Sequence, residues 1–188
     1  MVDLVRFAAE LQIFFLDRGW RFCFIGGLAL QAWGEPRLTR DVDVSLFTGF
    51  GKEEEFIKEL LSHFTSRIQN GRDFAMANRV LLLSSERKIP VDVALAAFPF
   101  EELIVSNAVA IEFLENVPLN ICTADDLVIL KAFASRPKDW MDIEGIILRQ
   151  RNALKWDYIL EQLKPLCELK EDPEILPRLL VLRPVSGR

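Results

Sequence analysis

Residues 25–47 read IGGLALQAWGEPRLTRDVDVSLF, and the order of these residues indicates the fold of the chain. The aromatic run that ends at the two glycines, residues 20–25, predicts a short buried strand. Residues 28–33 predict a brief helix, which a Gly-Glu-Pro sequence ends. After a polar loop, residues 41–47 alternate Asp with Val and predict a second strand. A strand, a glycine turn, a helix and a strand in this order predict an α/β core.

The rest of the sequence predicts more strands and then mainly helices. Apolar residues at helical spacing predict an opening helix over residues 3–18. Downstream, the patterns predict a helix at 53–64, strands at 79–84, 89–96, 109–113 and 118–122, and helices from 123 to about 170. We therefore expect an α/β (α+β) sheet core over residues 1–122. A C-terminal helical region over residues 123–188 would follow it and end in a proline-containing tail.

The composition is that of a packed globular protein. Hydrophobic residues make up 51% and charged residues 27% of the chain, which predicts a core and excludes extensive disorder. The net charge of −5 argues against a protein that coats nucleic acid through a broad basic face. No stretch approaches the roughly 20 apolar residues that span a bilayer, and the N-terminus does not resemble a signal peptide. The three dispersed cysteines are typical of reduced core residues, so we expect a cytoplasmic protein without a membrane partner.

Acidic residues occupy two of the predicted strands. Asp41 and Asp43 are two positions apart, so their carboxylates point to the same face of strand 41–47 while the valines face the core. Two adjacent carboxylates repel each other unless a cation neutralises them, and such oxygen ligands suit magnesium. The alternative is a strand that merely exposes two aspartates to water. Asp92 lies in the hydrophobic strand 89–96, and three clustered carboxylates could hold two metal ions if the strands are neighbours.

Gly26 and Gly27 stand between a predicted strand and a predicted helix. Glycine lets the backbone approach a ligand closely, and a helix N-terminus presents N–H groups to phosphate oxygens. The junction therefore predicts a phosphate-binding turn, with a plain structural turn as the alternative. Arg37 and Thr39 come just before the acidic pair, and we expect both of them near the site.

Lys131 is the only charged residue in the apolar segment 127–134. Its ammonium must either reach solvent at the end of a stem that lies along apolar residues or line a cleft, where it would suit a triphosphate. Asp142 follows Asp139 by three residues, so the two would share a helical face. The alternative for Asp142 is a local salt bridge with a Lys or Arg of the surrounding basic segment.

Residues 25–44 resemble the signature of the polymerase-β-like nucleotidyltransferase superfamily. In that superfamily a Gly-Gly or Gly-Ser turn precedes an Asp-x-Asp pair, and a later strand supplies a third acid. The chain is most similar to the branch that contains AbiEii-type and MenT-type toxins of toxin–antitoxin systems. Residues 125–143 resemble the second block of that branch, in which a lysine and a downstream aspartate complete the nucleotide site. The helical tail from Trp156 onward is similar as well, so the resemblance covers nearly the whole chain.

The resemblance implies the nucleotidyltransferase fold, with a small mixed β-sheet flanked by helices and a C-terminal helical region that completes the nucleotide cleft. The site residues that it implies are the metal-binding catalytic acids Asp41, Asp43 and Asp92, the phosphate turn of Gly26 and Gly27, and the second-block residues Lys131 and Asp139. Lys131 would take part in both nucleotide binding and catalysis. Gly27 replaces a serine of many superfamily members, so phosphate binding would rely on backbone N–H groups and on Lys131 or Arg37.

The implied activity is metal-dependent transfer, with Mg²⁺ or Mn²⁺, of a nucleotidyl group from a nucleoside triphosphate (NTP), with release of pyrophosphate. Acceptors of similar proteins include tRNA 3′ ends, protein side chains and small antibiotics, and the toxin-like branch favours RNA or protein. A cognate antitoxin is the implied protein partner. The alternative function is that of a catalytically weak binding or regulatory partner in a toxin–antitoxin pair.

Overall fold

A computed structural model describes residues 1–184, so the last four residues of the predicted C-terminal region lie outside the described part. The chain divides into two compact units. The first comprises Met1–Leu28 and Leu38–Cys122, and the second comprises Ala29–Arg37 and the chain from Thr123 onward. The segment 29–37 therefore belongs with the C-terminal helices, although it comes before the sequence boundary at residue 122.

The first unit is built on a β-sheet. Within the described residues its strands are β1 (Phe22–Phe24), β2 (Val42–Phe47), β3 (Thr65–Ser66), β4 (Val80–Ser84), β5 (Pro90–Ala96), β6 (Val109–Leu114) and β7 (Val117–Ile121). They are hydrogen-bonded in the order β3-β4-β5-β2-β1-β7-β6. The β2–β5 and β1–β7 pairs are parallel and the other neighbours are antiparallel. This confirms the predicted α/β fold with a mixed sheet.

Side-chain alternation along β2 and β5 explains why these strands bury one face. Val42, Val44 and Leu46 are fully buried in β2, whereas Asp43 between the valines is only half-buried. The valines that flank Asp92 in β5 are buried in the same way, and Asp92 is half-buried. Successive strand residues point to opposite faces, so burial of the valines directs both aspartates to the other face of the sheet.

Four helices and the start of a fifth complete the first unit. They are α1 (Val2–Asp17), α2 (Gly26–Trp33), α3 (Glu53–His63), α4 (Gly71–Asn78) and α5 (Pro99–Ser106), of which α2 begins in the first unit and ends in the second. Helix α1 buries Leu4, Leu11 and Phe15 among other residues at helical spacing and packs against β7 and β6. Helix α5 packs against β2 and β1.

The second unit is helical. Its C-terminal elements are α6 (Ala124–Ala134), α7 (Pro137–Gln150), a 3₁₀ turn (Arg151–Ala153), α8 (Trp156–Lys170) and α9 (Ile175–Leu182). Helix α6 begins as the sequence predicts, because the Thr123 hydroxyl accepts a hydrogen bond from the Asp126 N–H at 3.2 Å. The segment 29–37 joins these helices through α7, whose Arg149 donates to the Gly34 carbonyl at 2.7 Å. Across residues 1–184, none of the helices combines the length and apolar character that crossing a membrane requires.

Three short elements were not predicted from the sequence. Strand β3 has only two residues, too few to form a pattern in the sequence. Helix α4 shows little apolar periodicity, because its buried residues are the small Gly71 and Ala75. Helix α9 forms in the proline-containing tail. Its Pro177 lies in the first turn, where the backbone N–H has no partner within the helix, so proline is tolerated there.

Candidate active site

The glycine turn packs directly on the acidic strand. Gly26 has a φ of +57°, and a Cβ at this position would overlap the carboxylate of Asp43. The Gly27 N–H donates a hydrogen bond to Asp43 Oδ2 at 3.3 Å. A Cβ at Gly27 would overlap the hydroxyl of Thr39. Glycine is therefore required at both positions, because other side chains lie where a Cβ would be. At Gly26 it is also required by the positive φ.

The sheet brings the three predicted metal-binding acids to one region of the first unit. Asp43 of β2 and Asp92 of β5 are direct register partners on parallel strands. Asp41 lies one residue before β2 begins, and its Oδ1 accepts a hydrogen bond from the Thr39 hydroxyl at 3.0 Å. Asp41 is close enough to Asp92 for its negative charge to raise the pKa of the Asp92 carboxyl.

Arg67 is a member of this region that the sequence analysis missed. Its guanidinium forms an ion pair with Asp92 Oδ1. Burial raises the pKa of Asp92, the charge of Arg67 opposes this rise, and Asp41 adds to it, so that the pKa lies above its usual value. The sequence signal for Arg67 was weak, because it follows a strand of only two residues.

The acidic region has the ligand chemistry of a magnesium site. Three aspartates offer only oxygen donors, which suit Mg²⁺ or Mn²⁺. Within residues 1–184, however, no group of three or more His, Cys, Asp or Glu side chains is arranged to hold a metal ion. One oxygen of Asp92, Oδ1, is engaged by the ion pair with Arg67. The donor set fits the metal, and a metal ion at Oδ1 of Asp92 would compete with the guanidinium of Arg67.

The second unit contains a separate charged cluster around Lys131. This lysine is 5% exposed, and its Nζ lies 2.6 Å from Asp142 Oδ2 and 3.5 Å from Asp139 Oδ1. The ammonium therefore meets two buried carboxylates instead of reaching solvent. Asp142 also accepts two hydrogen bonds from Arg37, at 3.0 and 3.2 Å. Asp142 thus shares its helical face with Asp139, since both contact Lys131, and it also forms the salt bridge with a basic residue.

Both aspartates of this cluster are held in the ionised form. Burial alone would raise the pKa of Asp142, but hydrogen bonds from Arg37 and Lys131 bring the pKa below its usual value. For Asp139, burial is likewise outweighed by hydrogen bonds from Arg136 and by the charge of Lys131, so its pKa is also lowered. Arg136 Nε lies 2.6 Å from Asp139 Oδ2. The five side chains thus alternate in charge from Arg37 to Arg136.

Two solved structures share this fold, which is that of a nucleotidyltransferase. An antigenic nucleotidyltransferase-like protein from Paracoccidioides brasiliensis is similar at 16% identity and a TM-score of 0.50, covering 94% of this chain and 91% of that chain. The antibiotic-resistance factor ANT(2'')-Ia is similar at 15% identity and a TM-score of 0.50, covering 90% of each chain. At such identities the likeness establishes the fold alone. No curated protein matches the sequence significantly.

Residues 15–155 match the family model described as nucleotidyl transferase AbiEii toxin, type IV toxin–antitoxin system. Because this match covers well over half of the chain, the protein belongs to the AbiEii nucleotidyltransferase toxin family. It is therefore a nucleotidyltransferase enzyme, and the resemblance found in the sequence is confirmed.

Proposed function

We propose that the protein transfers a nucleotidyl group from an NTP to an RNA or protein acceptor in a metal-dependent reaction. The observation that best supports this function is that Asp43 and Asp92 are register partners on neighbouring strands. The charge of Asp41 acts on Asp92, and the Gly26-Gly27 turn packs against Asp43. Half-buried carboxylates in one region are costly for folding alone, because like charges repel at short range, and Arg67 offsets this cost only in part at Asp92, whose pKa stays above its usual value. A cation that binds between them would remove that cost.

In the proposed site Asp41, Asp43 and Asp92 hold Mg²⁺ or Mn²⁺. The metal, when bound, would neutralise charge on the phosphates of the NTP. Thr39 orients Asp41 through its hydroxyl, and the Gly27 N–H orients Asp43. The absence of side chains at Gly26 and Gly27 lets the turn pack against Asp43 and Thr39, and the triphosphate would bind beside this turn.

The proposed step is an in-line displacement at the α-phosphorus. A new bond forms between an acceptor oxygen and the α-phosphorus, and the bond from that phosphorus to the bridging oxygen breaks. Pyrophosphate leaves with the electron pair of the broken bond. The acceptor hydroxyl loses its proton, and we assign Asp92 as the group that accepts it, through a carboxylate oxygen.

We further propose that Arg37 and Lys131 bind the phosphates of the nucleotide, with Asp139 supporting Lys131. Asp142 accepts hydrogen bonds from both Arg37 and Lys131 in the second unit. It therefore holds in place the two cationic side chains that would bind the phosphates. A phosphate that binds Lys131 must compete with two carboxylates for the same ammonium. This competition favours a highly charged ligand such as a triphosphate over a monophosphate.

The central test is incubation of the protein with each α-labelled NTP, Mg²⁺ and a cell extract. We expect label in a macromolecule, and digestion with ribonuclease or protease then distinguishes an RNA acceptor from a protein acceptor. Asp43→Asn should lower the transfer rate by about 10²-fold or more. The matched control is Asp73→Asn, which alters an exposed acid on α4 and should leave transfer unchanged. Equal transfer by the Asp43 variant and the control would refute the proposed mechanism.

The family context adds a biological proposal. We propose that the protein is the toxin of a type IV toxin–antitoxin pair, that it has a cognate antitoxin, and that it acts in the cytoplasm, where NTPs are available. Expression of the wild-type chain should slow growth, and expression of Asp43→Asn should not. Normal growth with active wild-type enzyme in the cell would argue against the toxin role while leaving nucleotidyl transfer intact.

A further inference from the structure

Arg67 lies at the end of a row of four residues that crosses the sheet from strand to strand: Arg67, Leu82, Asp92 and Asp43. Its N–H donates to the Leu82 carbonyl at 3.0 Å, which extends the β3–β4 ladder by one residue. Leu82 is the register partner of Asp92, and Asp92 is the register partner of Asp43. Register partners on adjacent strands present their side chains on the same face of a sheet. The backbone therefore directs Arg67 to the face that bears the acids.

The guanidinium reaches past Leu82 to form its ion pair with Asp92. The side chains of Arg67 and Asp92 are 31% and 36% exposed, so the pair is partly shielded from water. Its charge offsets part of the repulsion that Asp41 exerts on Asp92. The first unit thus contains a cation of its own beside its acidic residues.

A metal ion and the guanidinium compete for this site on two physical grounds. The guanidinium is paired with Oδ1 of Asp92, so a metal ion that binds this oxygen competes with it directly. The positive charge of Arg67, which is in contact with Asp92, also repels a divalent cation that binds this carboxylate. Arg67 therefore stabilises the metal-free arrangement of Asp92 at the expense of the metal-bound one.

We propose that Arg67 is a built-in competitor of the divalent metal, which keeps Asp92 paired until the metal displaces the guanidinium. The inference rests on the proposed function, because it assumes that Asp41, Asp43 and Asp92 hold the metal. It adds a residue that restrains metal binding instead of supporting it. The displaced guanidinium stays on the same face of the sheet, because the β3–β4 ladder fixes its backbone.

The test is a titration of the full chain with Mn²⁺ alone, followed by the electron paramagnetic resonance signal of the unbound ion. Arg67→Met should tighten the Kd for Mn²⁺ by on the order of tenfold, because it removes both the competing donor and the repelling charge. Arg67→Lys keeps a cation and should bind much more weakly than the Met variant. Arg72→Met, which alters an exposed arginine paired with Glu54 and Asp73, should match the wild type.

The outcomes separate this inference from the proposed function. If Asp43→Asn abolishes Mn²⁺ binding while Arg67→Met binds as the wild type does or more weakly, the competitor role is wrong and the acidic metal site stands. If neither the wild type nor Arg67→Met binds Mn²⁺, both are overturned. Binding by Arg67→Met that disappears in the Asp43→Asn double variant supports both. Thermal unfolding of each variant checks that the fold is intact.

Discussion

Lys131 Nζ lies 2.6 Å from Asp142 Oδ2, and the side chain of each residue is only 7% exposed. A buried pair at this distance ties α6 to α7 inside the second unit. Its contribution to the free energy of unfolding shows when Lys131 is removed, because Asp139 and Asp142 then remain buried with one counter-ion fewer. The first two predictions use this pair.

Lys131→Met should lower the free energy of unfolding by about 3 kcal/mol, because it leaves Asp139 and Asp142 buried with one cation less. Chemical denaturation with urea measures this change. Arg136→Met is the matched control, since Arg136 also pairs with Asp139 but its side chain is 60% exposed. The control should lose less than about 1 kcal/mol. Equal losses in the two variants would contradict the assignment of Lys131 as the buried partner.

Asp142→Asn should flatten the acid limb of the stability profile. The pKa of Asp142 in the folded protein is below its usual value of 3.8, so the folded state binds its proton less readily than the unfolded state. The stability from this group is therefore complete above pH 3.8 and is lost as pH falls through the folded pKa. Urea unfolding between pH 7 and pH 3 should show a shallower decline for the variant than for the wild type.

Glu144→Gln provides the comparison for that series, because Glu144 is an exposed acid on the same helix. Its profile should follow the wild type throughout. If Asp142→Asn retains the full acid dependence of the wild type, the ionised Asp142 does not contribute to stability in the way that its contacts with Arg37 and Lys131 require.

Gly26→Ala should be more destabilising than Gly19→Ala. Both glycines have positive φ, at +57° and +64°, so each alanine costs about 1 kcal/mol in backbone strain. A Cβ at Gly19 meets nothing within 4 Å, whereas a Cβ at Gly26 overlaps Asp43. The difference between the two unfolding free energies isolates this overlap, and we expect at least about 1 kcal/mol. Indistinguishable values would mean that Asp43 moves aside freely.

Thr39→Val should reduce nucleotidyl transfer by about tenfold, because it removes the hydroxyl that donates to Asp41 while it keeps the shape of the side chain. Thr39→Ser keeps the hydroxyl and should remain near the wild-type rate. Steady-state transfer by the two variants, measured at saturating NTP, makes the comparison. A slow serine variant together with a normal valine variant would rule out this role of the hydroxyl.

The sequence was informative where a pattern is local. Alternating aspartates and valines in residues 41–47 predicted both strand β2 and the acids, and the glycine turn was visible from the residues on either side of it. Arg67 could not be found in this way, because Asp92 is 25 residues away in sequence and their contact depends on the register of β3, β4 and β5. Because the register of these strands is set by the whole sheet, the residues next to Arg67 in the sequence do not indicate its contact with Asp92.

The partner of Lys131 shows a second limit. Asp139 and Asp142 lie three residues apart, so helical spacing puts both on one face and cannot choose between them. Lys131 Nζ lies 2.6 Å from Asp142 and 3.5 Å from Asp139, and these distances depend on how α6 and α7 pack. The resemblance pointed to Asp139, and the structure adds Asp142 as the nearer partner.

The grouping of Ala29–Arg37 with the C-terminal helices has a consequence for dissecting the protein. The chain leaves the first unit after Leu28, returns at Leu38 and leaves again after Cys122, so no single cut yields two complete halves. A fragment that stops at residue 122 keeps Gly34 but loses Arg149, which donates to its carbonyl. Neither unit can therefore be transplanted into another protein as one uninterrupted segment, and any exchange of the C-terminal helices must carry residues 29–37 with it.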